Sequence, residues 1–146
     1  MKPLNNFEEF QREGIVRKVS INRNRSKSLV IEAERKNNSL KVTLKKVGLK
    51  DENANDFLES CYDIIMFLIR AQMYLEGFSA NGQGSHEAEV SYLRNLKFND
   101  KDIRFLNELR YFRNGILYYG DRFDVEYVEK VINFKDKIFP KIKKLS

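Results

Sequence analysis

Between Asp51 and Phe78 the chain reads DENANDFLESCYDIIMFLIRAQMYLEGF, and no other stretch restricts the possible folds so tightly. Set on a helix at about 100° per residue, Phe57, Cys61, Ile64, Ile65, Leu68, Ala71 and Leu75 form an inner stripe. Tyr62, Met66, Phe67 and Met73 carry the apolar surface almost all the way round. A helix of that kind has to be enclosed by others, so the stretch predicts the central member of a bundle. Asp51 or Asn53 is the expected N-cap and Gly77 the expected C-cap.

The rest of the chain supplies the enclosing helices. A first helix is expected from Asn6, with Glu9 as its capping-box partner, fading near Gly14. INRNRSKS (residues 21–28) reads as a polar connector. From Ser28, the positions Leu29, Ala33, Leu40, Leu44 and Val47 recur at helical spacing up to Gly48, with KNNS (residues 36–39) as a candidate break. Gly77–Ser85 reads as a flexible loop, and Ser85 as the cap of a short fourth helix. Asn99 is the expected cap of a fifth helix that runs to Gly120. A sixth begins near Asp121 or Asp124, carries Val125, Val128, Val131, Ile132, Ile138 and Ile142, and is bent or ended by Pro140. No segment alternates with period two between hairpin turns, so no strands are expected. The predicted fold is all-α, an up-down bundle of five to six helices in a single domain over 1–146.

Residues 64–69 are the longest unbroken apolar run, far short of the roughly 20 that span a bilayer. The opening MKPLNNFEEFQREG lacks the apolar segment of a signal peptide, so no membrane and a cytoplasmic location are expected. One cysteine, Cys61, and one histidine, His86, leave no disulfide, no Cys/His metal cluster and no Ser–His–Asp triad. No metal or cofactor is expected. The glycines of the 77–85 loop do not make a phosphate loop, because the Gly-Lys-Ser/Thr ending is missing and a helix precedes them.

Charge is unevenly spread. Residues 1–50 hold 13 Lys/Arg against 5 Asp/Glu, while residues 51–146 hold 14 against 16, which together give the net +6. A basic N-terminal third, with Arg23, Arg25 and Lys27 at its most polar point, fits a polyanion such as RNA; the alternative is a solvated, Lys-rich helix face.

The feature that asks for a function is in LRYFRNGILYYG (residues 109–120). On a helix, Arg113 falls inside the apolar flank, between Leu106 and Leu109 on one turn and Ile116 and Leu117 on the next. Arg110, Asn114 and Tyr118 form a polar ridge along the border of the stripe. A buried, unpaired guanidinium is very costly. Arg113 must meet an anion, of which Asp63 is the evident internal choice, emerge at an intersubunit surface, or snorkel out.

YDIIMFLIRAQMYLEGF together with LNELRYFRNGILYYG resembles the HEPN superfamily of small bacterial and archaeal helical bundles, and the Ser-His-Glu start of the fourth helix is similar to archaeal members. The resemblance covers residues 54–140; 51–146 would be the HEPN-like core and 1–50 a basic helical addition. It implies a homodimer whose two copies line a cleft with an Arg-polar-…-His motif. Active members are metal-independent RNases, while others bind RNA or nucleotides or partner a small nucleotidyltransferase in toxin–antitoxin pairs. Transferred to this chain, Arg113 would hold a phosphate, Asn114 would orient it, and Arg110 and Tyr119 would extend the nucleic-acid surface. The motif histidine is replaced, with Tyr118 and Tyr119 in its span, and Tyr118 is the stand-in catalytic candidate. Tyrosine, with an ordinary pKa of about 10, is a poor base at neutral pH. His86 and Asp63 remain as supporting candidates. The reading is therefore an RNA-binding member with weak or no catalysis, the alternatives being an RNase toxin and a docking module for a nucleotidyltransferase.

Overall fold

A computed structural model describes residues 1–146 and gives six helices with a two-stranded sheet: α1 (Phe7–Arg12), β1 (Val16–Lys18), α2 (Arg23–Lys46), α3 (Ala54–Glu76), β2 (Phe78–Ala80), α4 (Ser85–Asn95), α5 (Asp100–Tyr119) and α6 (Val125–Lys143). The all-α bundle is present, with α3 at its centre. Leu58, Cys61, Ile64, Ile65, Leu68, Ile69 and Ala71 of α3 are completely buried, and Tyr62, Met66 and Met73 nearly so. Each large apolar side chain enclosed in this way contributes about 1.5–3 kcal/mol. No helix is long and apolar enough to cross a membrane.

Side-chain contacts fix the helix directions. Lys36 lies over Phe67 and Arg25 over Tyr74, so α2 runs antiparallel to α3. Asn55 meets Asp121 and Asp63 meets Arg113, so α5 is also antiparallel to α3. Asn55 also accepts from the Phe123 amide and Gln72 donates to Ser146, so α6 runs parallel to α3. The seam of α2 against the bundle is narrow: Ser26, Ala33, Asn37 and Leu40 are its buried residues.

Several local expectations are corrected. Two strands form, pairing antiparallel with Val16 opposite Ala80 and Lys18 opposite Phe78. Their cause is Gly77, which ends α3 in the left-handed region at φ 82° and whose carbonyl accepts from Val19 N at 2.8 Å. The returning chain is drawn alongside residues 16–18, and Phe78 closes on Phe7 and Tyr92. Three residues are too few to show an alternating pattern. Most of residues 21–28 is helix rather than connector, because the Asn22 side chain caps α2 by accepting from Arg25 N at 3.0 Å. Residues 36–39 do not interrupt α2; Asn37 is buried and bonded across the bundle. Asn6 precedes α1, but no capping box forms, since its side chain accepts from Arg94 instead. Gly84, with positive φ, precedes α4 in the place expected for Ser85. Pro140 sits within α6, which continues to Lys143. Asn99 and Asp124 cap α5 and α6 through their side chains.

Three charged side chains are buried, Glu89, Asp102 and Lys135, and the last is the most enclosed. Lys135 is 1% exposed, and its ammonium donates to Asn37 Oδ1 and Asp136 Oδ1, each at 2.6 Å. Asp136 carries this pair outward to solvent. Cys61 is buried in the same region, and burial pushes its thiol up to about 12, which makes it an unreactive hydrophobe. Asn37→Ala, which leaves the buried ammonium with one partner, is expected to lower stability by about 2 kcal/mol in urea denaturation. Replacing both groups, as Asn37→Leu with Lys135→Met, should bring stability back to within about 1 kcal/mol of the parent. An equal loss in both variants would mean that shape, not the ammonium, is what Asn37 supports.

Candidate anion site on the fifth helix

The two halves of α5 are packed differently. Ile103, Leu106 and Leu109 are buried against the bundle, whereas no residue from Arg110 to Tyr127 is fully buried. Tyr111, Leu117, Tyr118 and Tyr119 are exposed, Tyr118 to 75% and Tyr119 to 83%. Leu117, expected on the flank of the apolar stripe, therefore points to solvent instead. The buried edge is set by α3 and α4, which cover α5 only as far as their own side chains reach.

Arg113 continues the inner line of Leu106 and Leu109 and faces α3. Its Nη2 lies 3.4 Å from Asp63 Oδ1, at the outer limit of a hydrogen bond, and the side chain is 22% exposed. The guanidinium carbon stands 5.5 Å from the centre of the Tyr62 ring. Its Nε is buried and has no hydrogen-bond partner. The internal carboxylate anticipated for Arg113 is thus present, in a loose contact that uses little of the donor capacity of a guanidinium.

Arg110 is held more firmly. Its Nε donates to Asn107 Oδ1 at 3.0 Å, and Nη1 lies 3.9 Å from Glu87 Oε1. Asn114 is half-buried one residue beyond Arg113. The Asp121 carboxylate rests in the space that the missing side chain of Gly115 leaves, so a second carboxylate stands near this ridge. Beneath it, burial raises the Tyr62 hydroxyl above its ordinary pKa; Glu89 and Asp63 add to the shift, and Arg110 and Arg113 oppose it.

His86 is not at Arg113. Its Nδ1 lies 3.1 Å from Glu89 Oε1, a local contact within α4. Glu89 in turn receives Arg70 through two hydrogen bonds of 2.6 and 3.0 Å. This Arg70–Glu89 pair escaped the sequence reading, although Glu89 stands between Ala88 and Val90 and carries the same signal as Arg113, a charge where an apolar residue is due. Arg23, Arg25 and Lys27 are exposed at the start of α2, and Arg25 stacks on Tyr74 at 4.8 Å. Tyr62 and Tyr74 are 12 residues apart on α3, about 18 Å along its axis, so the fold separates this basic cluster from Arg113. No three His, Cys, Asp or Glu side chains converge as a metal site. Comparison with protein-family models, curated proteins and solved structures gives no match for this chain.

Burial acts to raise the Glu89 carboxyl, but the hydrogen bonds from His86 and Arg70, with their charges, outweigh it and hold it below its ordinary value of 4.5. A lowered folded pKa stabilises the fold above the unfolded value, and the contribution disappears as pH falls through the folded one. Glu89→Gln should therefore cost about 3 kcal/mol at pH 7, and its deficit relative to the parent should shrink below pH 4.5. Urea midpoints at pH 7, 5 and 3 measure this; a deficit independent of pH would assign the loss to packing.

Proposed function

We propose that this chain is a cytoplasmic RNA-binding protein that works as a homodimer, with Arg113, Asn114, Arg110 and Tyr118 of both copies lining a shared anion-binding cleft. One observation carries the reading. The half of α5 that follows Arg110 has no buried residue in the single chain, and in its middle Arg113 keeps a buried, unpaired Nε and only a 3.4 Å contact to Asp63. A guanidinium satisfied by an internal partner would make short, two-pronged bonds, as Arg70 does with Glu89. The series Tyr111, Leu117, Tyr118 and Tyr119 supplies the kind of exposed aromatic and apolar surface that a second copy covers. The HEPN resemblance of residues 54–140 supports the same arrangement.

Catalysis is not part of the proposal. Metal-free cleavage of RNA uses a group that titrates near neutral pH. The one imidazole of the chain is engaged by Glu89 on α4, and the span after Asn114 holds tyrosines. Arg23, Arg25 and Lys27 form a separate basic surface along which a long RNA can continue.

The test combines sedimentation with retention of labelled single-stranded RNA in EDTA. The parent should sediment as a dimer, and Leu117→Asp as a folded monomer with weakened RNA retention. Arg113→Ala should weaken retention at least about tenfold, with a shallower salt dependence. RNA cleavage lost in Arg113→Ala would replace the binding reading by the RNase reading. A dimer with no RNA retention at any salt concentration would point to a protein-docking module, and a monomer at high concentration would remove the shared cleft.

A further inference from the structure

A cavity of about 430 Å³ lies on the opposite side of Asn107 from the Arg110 ridge, enclosed by the first residues of the chain, the end of α4 and the first two turns of α5. Its volume is in the range of small-molecule sites. Leu4 and Ile103 supply an apolar wall. Lys2, Arg94 and Arg104 bring three cations to it, and Asp100 is the one acid on its rim. Arg94 is fixed in place, because its Nη1 donates to Asn6 Oδ1 at 2.8 Å. Arg104 and Lys2 make no ion pair within the chain, so both charges are free for an incoming group.

The polar group that points to a ligand is Asn107. It is 5% exposed, lines this cavity, and has its Oδ1 committed to Arg110 Nε at 3.0 Å. That bond fixes the amide orientation and turns the Nδ2 donors away from Arg110, and no protein atom accepts from them. These donors are not sealed in the core but stay open to solvent, so an acceptor seated in the cavity can take them without displacing a protein contact. An acceptor that also satisfies the uncompensated positive charge is an anion. The apolar wall adds that the anion carries a hydrophobic body.

From this arrangement we infer that the cavity is a binding site for a small organic anion, a carboxylate or monophosphate bearing one compact apolar group. The head group accepts from Asn107 Nδ2 and pairs with Arg104 and Lys2, and the apolar body covers Leu4 and Ile103. The site belongs to one chain and does not require the dimer, so it stands or falls apart from the RNA reading.

The experiment is an NMR titration of the full chain, free of any N-terminal tag, with phenylacetate, phenyl phosphate and uncharged phenylacetamide. Saturable shifts of the Asn107 side-chain amide are expected with at least one anion, which also tells carboxylate from phosphate. That anion should bind at least about tenfold tighter than the amide. Arg104→Glu, at an exposed position, and Asn107→Asp, which keeps the shape and the Arg110 bond but removes the donors, should each weaken it at least about tenfold. Equal binding of phenylacetamide, unchanged binding in both variants, or no perturbation of Asn107 by either anion would overturn the assignment.

Discussion

Enclosure of α3 is the constraint under which every other element is arranged. A helix apolar on nearly every side cannot rest on a single neighbour, and here α2, α5 and α6 lie along it while α4 and the small sheet close its remaining exposure. The directions follow from short connections: α2 and α5 run against α3, and α6 returns beside it. Because burial of apolar area is not directional, the enclosing helices need only narrow seams of their own. That explains how α2 can present little more than Ala33, Asn37 and Leu40 inward and leave a basic outer face.

Against that apolar background the polar residues on inner faces separate into three degrees of satisfaction. Lys135 is fully buried and bonded twice, joining α6 to α2 through Asn37. Glu89 is buried and held in a bidentate pair by Arg70, with His86 as a third contact. Arg113 is mostly covered yet poorly satisfied, with one long contact and an unpaired Nε. The first two fix the register between helices. The third is where the chain retains unused bonding capacity, and it lies on the part of α5 that the rest of the molecule fails to cover.

The helices and their inner faces were legible because their signals are local or periodic. Phe57 to Leu68, the glycine stop at Gly77, and the Asn99 and Asp124 caps depend on residues within a few positions of one another. The two strands were not legible, because β1 and β2 are three residues each and exist through a pairing between segments about 60 residues apart. The local weakness of residues 36–39 was overruled by Lys135, which makes Asn37 useful to the helix by bonding it from across the bundle.

Residue pattern alone dictates a helical bundle around one helix that is apolar almost all the way round, and puts Arg113 on an inner face where a charge needs a reason. It also determined the basic bias of the first 50 residues. Packing of the helices is what makes Asp63 the internal neighbour of Arg113, leaves that contact too long to satisfy it, and brings Arg70 to Glu89. It alone set Arg23, Arg25 and Lys27 apart from that site, and gathered Lys2, Arg94, Arg104 and Asn107 around one cavity. Helical period is written in steps of three and four residues, whereas the partner of a charge is chosen by which helices meet, as with the 19 residues between Arg70 and Glu89 or the 98 between Asn37 and Lys135, separations that no local pattern encodes.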